Sequence, residues 1–156
     1  MSDKKLLAKK IIANNKKARH EYFIEETFEA GIVLLGSEVK SLRERNASIQ
    51  DAYADNRGGQ IYLLQSYIAE YKGANQFNHE PRRPRKLLLH NREIKRLFGK
   101  LKIKGHTIVP LSLYFNEKNK VKVELGVAKG KKQHDKRATE KDRDWQRQKA
   151  RVLSSS

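Results

Sequence analysis

Apolar and polar residues alternate most regularly near the C-terminal end of the sequence. Every second position there carries an aliphatic side chain, at Val121, Val123, Leu125 and Val127. This period of two predicts a strand that buries one face. The alternation ends at Gly130, where a strongly charged segment begins. We therefore expect a core strand that leads directly into a tail outside the folded body.

Other stretches predict further strands. Residues 22–35 are rich in aromatic and β-branched side chains, which favours two strands or one long strand bent at Gly31. Residues 51–55 and 60–71 flank the sequence Asn-Arg-Gly-Gly, which is typical of a hairpin turn. We expect these two segments to pair with each other.

A last upstream strand is predicted for residues 107–116, followed by a hairpin turn at residues 116–119. Pro110 lacks a backbone N–H, so its presence in this strand favours an edge position or a bulge. One face of the strand is expected to carry Val109, Leu111, Leu113 and Phe115.

Two helices are predicted between the strands. Ser37 can cap a helix that runs through Arg45, and Asn91 can cap a longer helix that ends near Lys104. Between them, residues 72–86 show no periodicity and are expected to form a long basic loop. The longer helix has an apolar face formed by Ile94, Leu97, Phe98 and Leu101.

These elements predict a mainly β fold. A small closed barrel of OB-like type with flanking α-helices suits the short strands, because closure leaves no exposed edge. We expect residues 1–130 to form this barrel domain and residues 131–156 to form a basic tail. Ala138, Trp145 and Val152 give the tail only one thin apolar line. The tail is therefore expected to be disordered when free and helical on a charged partner.

The charge balance points to an acidic partner. Lys and Arg total 35 against 18 Asp and Glu, which gives a formal net charge of +17. So large an excess favours nucleic acid, ahead of an anionic membrane or an acidic protein. The sequence contains no cysteine, which excludes disulfides and thiolate sites. It has no apolar run near the roughly 20 residues of a membrane span and no signal peptide, so a cytoplasmic protein is expected.

Groups that could carry catalysis are sparse. His79 and Glu80 could form an acid/base pair, but a solvated pair in a loop is the more frequent situation. Residues 126–132 resemble a phosphate-binding P-loop, but the segment is one residue too short between its glycines and lacks the following Ser or Thr. We expect no catalytic residue, no metal site and no cofactor.

Basic clusters at three places predict an RNA-binding surface. They lie at residues 16–19, 82–86 and 129–132, each at a strand end or in a loop, where side chains can reach a phosphate backbone. RNA is favoured over DNA because the sequence has neither a helix-turn-helix nor a zinc-finger pattern. The aromatic residues that could stack on unpaired bases are Tyr22, Tyr67, Tyr71 and Phe77.

Four segments in order along the chain, residues 15–43, 85–94, 107–115 and 128–137, resemble the small protein B family, the SsrA-binding proteins of bacteria. The resemblance covers about residues 10–151. It implies a barrel that binds the tRNA-like domain of transfer-messenger RNA (tmRNA) and delivers it to stalled ribosomes in trans-translation. It also implies that an elongation factor carrying GTP brings the complex in and that alanyl-tRNA synthetase charges the RNA. The protein is expected to be a monomer and not an enzyme.

The resemblance also assigns roles to individual residues. Asn15, Glu29, Leu88 and Lys122 match the family's RNA-binding face, and residues 130–132 position the start of the tail. In the tail, the residues expected at the small-subunit decoding centre and mRNA path are His134, Asp135, Lys136, Arg137 and Trp145. With the basic clusters and the outward cations of the first helix, the expected RNA-binding set is Asn15, Lys17, Arg19, Glu29, Lys40, Arg43, Arg83, Arg85, Lys86, Leu88, Lys122, Lys129, Gly130, Lys131 and Lys132.

Two other functions stay open at this point. A barrel of this type could bind single-stranded RNA in general, as an RNA chaperone does, without preference for a tRNA-like fold. A nucleic-acid hydrolase would need acidic metal ligands, and no such set can be assembled from the sequence.

Overall fold

The computed structural model describes residues 10–73 and 78–130. Phe77 and the predicted tail lie outside these residues. The strands described are Lys10–Asn14 (β1), Tyr22–Ile32 (β2), Ala47–Ser48 (β3), Tyr53–Arg57 (β4), Gln60–Leu64 (β5), Tyr67–Ile68 (β6), Arg85–Leu88 (β7), His106–Phe115 (β8) and Val121–Gly130 (β9). The helices described are Lys16–Glu21 (α1), Gly36–Arg43 (α2) and Asn91–Leu101 (α3).

The strands close into a ring. Seven of them form an antiparallel sheet in the order β1-β8-β4-β5-β7-β2-β9, and β9 also pairs with β8. Six strands therefore make a circuit from β8 through β4, β5, β7, β2 and β9 back to β8, while β1 is a branch on β8. Strands β3 and β6 form a separate two-stranded sheet. The predicted mainly β fold is confirmed, and the predicted closure of the strands is present as a ring of six strands with helices outside it.

Strand β9 closes the ring by pairing along its whole length on both sides. On β2 the register runs from Tyr22 opposite Gly130 to Gly31 opposite Lys122. On β8 nearly the same stretch of β9 is paired again. The alternation predicted for β9 is confirmed, since every second side chain enters the interior cluster, at Val123, Leu125 and Val127.

Strand β8 contains a bulge that reverses its alternation. The bulge lies between Pro110 and Ser112 in the pairing with β9. Leu113 points into the ring, whereas Leu111 joins a second cluster under α1. The expectation that one face carries all four apolar residues, including Val109 and Phe115, is therefore wrong. The bulge predicted at Pro110 is confirmed, but the edge position is not, because β8 has neighbours on both sides.

The N-terminal part of the described chain contains strand β1, which was not predicted from the sequence. Strand β1 pairs with β8 from Lys10 opposite Phe115 to Asn14 opposite Ser112. Two strands or one long strand were predicted for residues 22–35, and the structure has one long strand there, β2. Its irregularity lies between Ile24 and Glu26, however, and Gly31 is regularly paired.

Both predicted helices are present, with shifted ends. Helix α2 is capped at Leu35 rather than Ser37, and it ends at Arg43. Helix α3 is capped at His90 rather than Asn91. The apolar face predicted for α3 is confirmed, since two of its residues are buried and two pack against the interior cluster: Ile94, Leu97, Phe98 and Leu101. In the described residues, no helix has the length and apolarity needed to span a membrane.

The loop predicted for residues 72–86 ends in strand β7, which is anchored by a buried ion pair. Arg85 and Glu38 are both fully buried, with Nε of Arg85 2.5 Å from Oε2 of Glu38. Arg85 also donates to the carbonyl and hydroxyl of Ser66, at 3.0 and 2.8 Å. Arg83 reaches the other oxygen of Glu38 at 2.6 Å. One carboxylate of α2 therefore holds two arginines and the start of β7.

The charges of this cluster are kept by its hydrogen bonds. Burial would raise the pKa of Glu38, but the hydrogen bonds from Arg83 and the Leu35 N–H and the charge of Arg85 outweigh it. The net pKa of Glu38 lies below its ordinary value of 4.5. Burial lowers the pKa of Arg85, and the charge of Glu38 opposes that change. The pair therefore stays ionised at neutral pH.

Replacing Glu38 with alanine is expected to lower the free energy of unfolding by about 3–5 kcal/mol, because Arg85 would be left as a buried charge without its partner. Urea denaturation of Glu38→Ala measures this loss. The exposed hairpin residue Glu117 is the control, and Glu117→Ala should change stability by no more than about 0.5 kcal/mol. Equal effects of the two substitutions would show that the buried pair does not stabilise the fold.

The same variant should reveal a pH dependence. Because the pKa of Glu38 is lowered on folding, its contribution is present above its ordinary value of 4.5 and is lost as the pH falls through the folded-state pKa. The stability difference between the wild type and Glu38→Ala should therefore narrow in acid. A difference that widens as the pH falls would contradict this assignment.

Candidate nucleic-acid interface

A row of residues crosses four strands on the outer surface of the ring. Leu88 of β7 lies opposite Gly31 of β2. Gly31 also lies opposite Lys122 of β9, which in turn lies opposite Tyr114 of β8. Residues paired in this way point to the same side of the sheet. That side is the outer one, because Val123, next to Lys122, points into the interior cluster.

Gly31 allows two side chains of this row to meet. A Cβ atom at Gly31 would lie 3.2 Å from Cβ of Leu88 and 3.7 Å from Nζ of Lys122. Leu88 and the ammonium group of Lys122 therefore lie side by side over bare backbone. Leu88 is 52% exposed. An exposed apolar side chain beside a cation suits contact with an unstacked base and a phosphate at the same time.

The neighbouring row of the same face carries two carboxylates. Glu29 of β2 lies opposite Glu124 of β9. Like charges directly opposite each other destabilise a sheet, so this arrangement requires compensating groups. Arg19 of α1 provides one, with Nη2 3.4 Å from Oε1 of Glu124. Tyr114 provides the other by donating its hydroxyl to Oε2 of Glu29.

The hydroxyl of Tyr114 is held in its neutral, donating form. Burial is the largest cause that raises the pKa of Tyr114 above its ordinary value of 10.0. The hydrogen bond and charge of Glu29 and the charge of Glu124 raise it further. A phenol that stays protonated fixes the carboxylate of Glu29, which is itself exposed. The face therefore presents one positioned hydrogen-bond acceptor among its cations.

Asn15 is placed differently from the prediction. It is 1% exposed, and its Nδ2 donates to the carbonyls of Ile49 and Pro110 at 3.1 and 2.9 Å. Its Oδ1 accepts the N–H of Ala18 at 3.0 Å and so caps α1. Asn15 is therefore not available on the surface for direct contact with a ligand. It instead fixes α1, which carries Arg19, against the bulge of β8.

Of three other predicted cations, Lys86 shares this outer face, whereas Lys129 has the inward parity of Val127 on β9 and Lys17 lies on α1. Lys86 lies two positions before Leu88 on β7 and so points to the same side of the sheet. Lys129 is paired near the end of β9, between β2 and β8. Lys17 is exposed on α1, 4.0 Å from Asp51. An exposed ion pair of this length contributes little to stability, so Lys17 can exchange its partner at low cost.

The remaining predicted cations do not join this face. The ammonium group of Lys40 lies 5.7 Å from the centre of the Tyr71 ring, and Arg43 lies at the end of α2. Arg83 is engaged by Glu38. Arg85 is fully buried by that same carboxylate, so the expectation that it contacts RNA directly is corrected: it anchors β7, on which Leu88 lies.

Gly130 is the last described residue, and it is buried opposite Tyr22 at the end of β9. The predicted site residues that lie outside the described part of the chain are Lys131, Lys132, His134, Asp135, Lys136, Arg137 and Trp145.

Sequence reasoning missed the residues that complete the face. Tyr114 falls between Leu113 and Phe115, so the alternation of β8 predicts that it points away from the side of those two residues. Nothing in the neighbouring sequence indicates that its hydroxyl contacts Glu29. Glu124 occupies a polar position in the regular alternation of β9, and only the register shows that it meets Glu29. Gly31 was read as a bend, whereas its lack of a side chain makes room for Leu88.

The histidine considered for catalysis has a structural position. His79 is 3% exposed, and its ring contacts the hydroxyl of Ser37 and the carbonyl of Ile68, both at 2.9 Å. It joins the loop before β7 to α2 and β6. Among residues 10–73 and 78–130, no group of three or more His, Asp or Glu side chains could hold a metal ion.

The closed ring of strands and its outer face, with an exposed leucine, a positioned carboxylate and several cations, define a mainly β protein of the nucleic-acid-binding class. The SmpB protein family matches residues 12–155. The chain belongs to this family.

Individual relatives agree with this assignment. The SsrA-binding protein of Rickettsia canadensis (strain McKiel) is 61% identical over 145 residues, which cover 93% of this chain and 95% of that protein. The SsrA-binding protein of Rickettsia bellii (strain OSU 85-389) is 59% identical over 93% of this chain and 96% of that protein. A solved structure described as "tmRNA-SmpB: a journey to the center of the bacterial ribosome" is similar with a TM-score of 0.65. It is 51% identical and covers 76% of this chain and 82% of its own.

The position of Tyr114 can be tested by titration. The ultraviolet titration step that Tyr114→Phe removes is expected above pH 10, because the phenol is buried and bonded to Glu29. The stability that this contact gives is present below pH 10 and is lost as the pH rises through the raised pKa. The control Tyr53→Phe, at a half-exposed position, should leave that step in place. Loss of a step at or below pH 10 in Tyr114→Phe would refute the contact.

Proposed function

We propose that the protein is an RNA-binding adaptor for ribosome rescue. It binds the tRNA-like domain of tmRNA, also called SsrA RNA, and delivers it to stalled ribosomes in trans-translation. The observation that carries this proposal is the convergence of Leu88, Lys122, Glu29 and Arg19 on one outer face of the ring. The similarity to SsrA-binding proteins and to a tmRNA-SmpB structure supports the same partner.

Each group on this face has a part in RNA binding. Lys122 and Arg19 supply positive charge for phosphates, which gives affinity and position but no sequence preference. Leu88 covers the apolar face of a base that has left its stack. Such unstacked bases occur in loops of folded RNA, so a leucine held beside a cation favours a structured RNA over a regular duplex.

Glu29 gives the face its selectivity. A carboxylate repels phosphates, and it therefore weakens binding to RNA wherever it does not meet a hydrogen-bond donor. Tyr114 fixes this carboxylate by donating its hydroxyl. In the complex, Glu29 accepts hydrogen bonds from the N–H groups of a base, and an RNA that cannot offer such a base in that place is bound less tightly.

The C-terminal tail has a separate part in this proposal. Residues 131–156 carry nine Lys and Arg against four Asp and Glu. They enter the empty mRNA path of the small subunit, become helical there, and bring His134 and the segment 135–137 to the decoding centre. The elongation factor with GTP and alanyl-tRNA synthetase act on the RNA that the barrel holds. The protein supplies recognition and shape, and the ribosome supplies the chemistry.

A binding competition tests the proposal. The full-length protein should bind a tRNA-like-domain RNA more tightly than an unstructured RNA of equal length, and this preference should persist as salt is raised. Charge alone gives binding that weakens alike for both RNAs. Equal affinities across the salt series would contradict the proposal and support general single-stranded RNA binding instead.

Lys122→Ala should weaken binding of the tRNA-like-domain RNA by about tenfold, or 1.4 kcal/mol, because it removes the cation beside Leu88. Lys95→Ala is the matched control, since Lys95 is exposed on α3 and makes no described side-chain contact. Filter binding or fluorescence anisotropy measures both. If Lys95→Ala weakens binding as much as Lys122→Ala does, the face described above is not the RNA site.

Truncation after Gly130 should separate the two parts of the function. RNA binding by the barrel should change by less than about tenfold, or 1.4 kcal/mol, whereas peptide tagging on stalled ribosomes should be lost. Trp145→Ala in the full chain should reduce tagging and leave the urea midpoint unchanged. Loss of RNA affinity in the truncated chain would show that the division into barrel and tail is wrong.

A further inference from the structure

A cationic cleft lies beside the hairpin between β8 and β9, and its lining includes none of the residues of the row that contains Leu88. It has a volume of about 350 Å³ and is lined by Lys10, Arg43, Arg45, Phe115 and Asn119. These residues come from three places that the fold brings together: the start of β1, the end of α2, and the hairpin between β8 and β9. Phe115 is 6% exposed and forms an apolar wall.

The three cations of this cleft have no acidic partner in the part of the chain that the structure describes. The side chains of Lys10, Arg43 and Arg45 take part in none of its ion pairs, whereas Arg19, Arg83 and Arg85 are all paired. Three like charges around one cleft repel each other. The cleft therefore favours an anion that can approach all three.

The backbone at Arg45 gives an independent reason to assign a function to this cleft. Helix α2 ends with the N–H of Arg45 on the carbonyl of Leu42 at 3.0 Å and the N–H of Asn46 on the carbonyl of Ser41 at 3.2 Å. This pair of bonds is the Schellman ending, whose left-handed residue is usually glycine. Here the left-handed residue is Arg45, with φ at 62°.

An arginine in this conformation is strained relative to glycine. No described contact of the side chain offsets that strain, because the Arg45 guanidinium group makes no hydrogen bond or ion pair within the described residues. Strain at a position where glycine would serve the fold better marks a side chain kept for another purpose. The guanidinium group lines the cleft, so that purpose is binding there.

We infer that this cleft is a phosphodiester-binding subsite, in which Lys10, Arg43 and Arg45 hold consecutive backbone phosphates of RNA. Guanidinium groups bind phosphate oxygens in pairs, and the Asn119 amide can donate to the adjoining sugar or phosphate. The subsite lies where the β8–β9 hairpin meets α2, and none of its lining residues belongs to the row of Leu88, Gly31, Lys122 and Tyr114. It shares with the proposed function only the premise that the partner is RNA.

The RNA that fills the subsite has two possible sources: the tRNA-like RNA held on the outer face and the RNA of the small ribosomal subunit. The same phosphate chemistry serves both. Separate binding measurements on the full-length protein distinguish them, one with the tRNA-like-domain RNA and one with isolated small subunits, each over a salt series.

The decisive variant is Arg45→Gly. It should leave the urea midpoint of unfolding equal or raise it, because glycine relieves the left-handed strain. It should also lower the slope of log affinity against log salt by about 0.7–0.9 with one of the two RNAs, which is the loss of one phosphate contact. Arg45→Lys keeps the cation and should retain most of the slope.

Two further variants test whether the change in salt dependence comes from a lost phosphate contact. Arg43→Ala should lower the salt slope by the same amount, whereas Arg92→Ala, at an exposed position on α3, should not. If Arg45→Gly lowers the salt slope with the tRNA-like-domain RNA, that RNA occupies the subsite. If it lowers the salt slope with small subunits, ribosomal RNA occupies it. An unchanged slope with both, in protein that stays folded, would overturn the subsite.

Failure of the subsite and failure of the proposed function give different results. Preference of the wild-type protein for tRNA-like over unstructured RNA concerns the function and does not depend on Arg45. If that preference is absent while Arg45→Gly still lowers the salt slope with ribosomal subunits, the result supports the subsite and contradicts the proposed adaptor role.

Discussion

The register of β9 between β2 and β8 is the constraint on which the rest of the structure depends. Because β9 is paired on both sides, it closes the ring and also fixes which side chains meet on its outer surface. A shift of β9 by one residue would exchange its two faces and move Lys122 and Glu124 into the interior. The interior cluster of Val123, Leu125 and Val127 opposes such a shift. Hydrophobic burial therefore holds Lys122 and Glu124 in position on the outer face.

Much of the fold follows from local patterns in the sequence, and the exceptions have identifiable causes. The alternation of β9 and the apolar face of α3 were predictable because each depends on one element and its own periodicity. The change of alternation in β8 was not predictable. The bulge near Pro110 places Leu111 and Leu113 on different sides of the sheet, and α1 packs on the outer side over Leu111. Strand β1 was missed because lysines break up the apolar residues before Ile11, so the segment shows no regular alternation.

The candidate site was predictable where a residue acts on the surface and unpredictable where it acts through a partner distant in sequence. Leu88 and Lys122 were named from the resemblance, and both lie on the outer face. Asn15 and Arg85 were named as well, but both are buried and have structural contacts. Asn15 fixes α1, and Arg85 anchors β7. Charge in the sequence does not tell a solvated arginine from a buried one, because the difference lies in a carboxylate 47 positions away.

The central claim is that the outer face around Gly31 meets folded RNA, and methyl and amide NMR of the full-length protein tests it most directly. On addition of the tRNA-like-domain RNA, the largest chemical-shift changes should occur at the Leu88 methyl groups and at the amides of Gly31 and Lys122. Amides in the middle of α3 should change little. The largest shifts on α3, with Leu88 and Lys122 unmoved, would contradict the account.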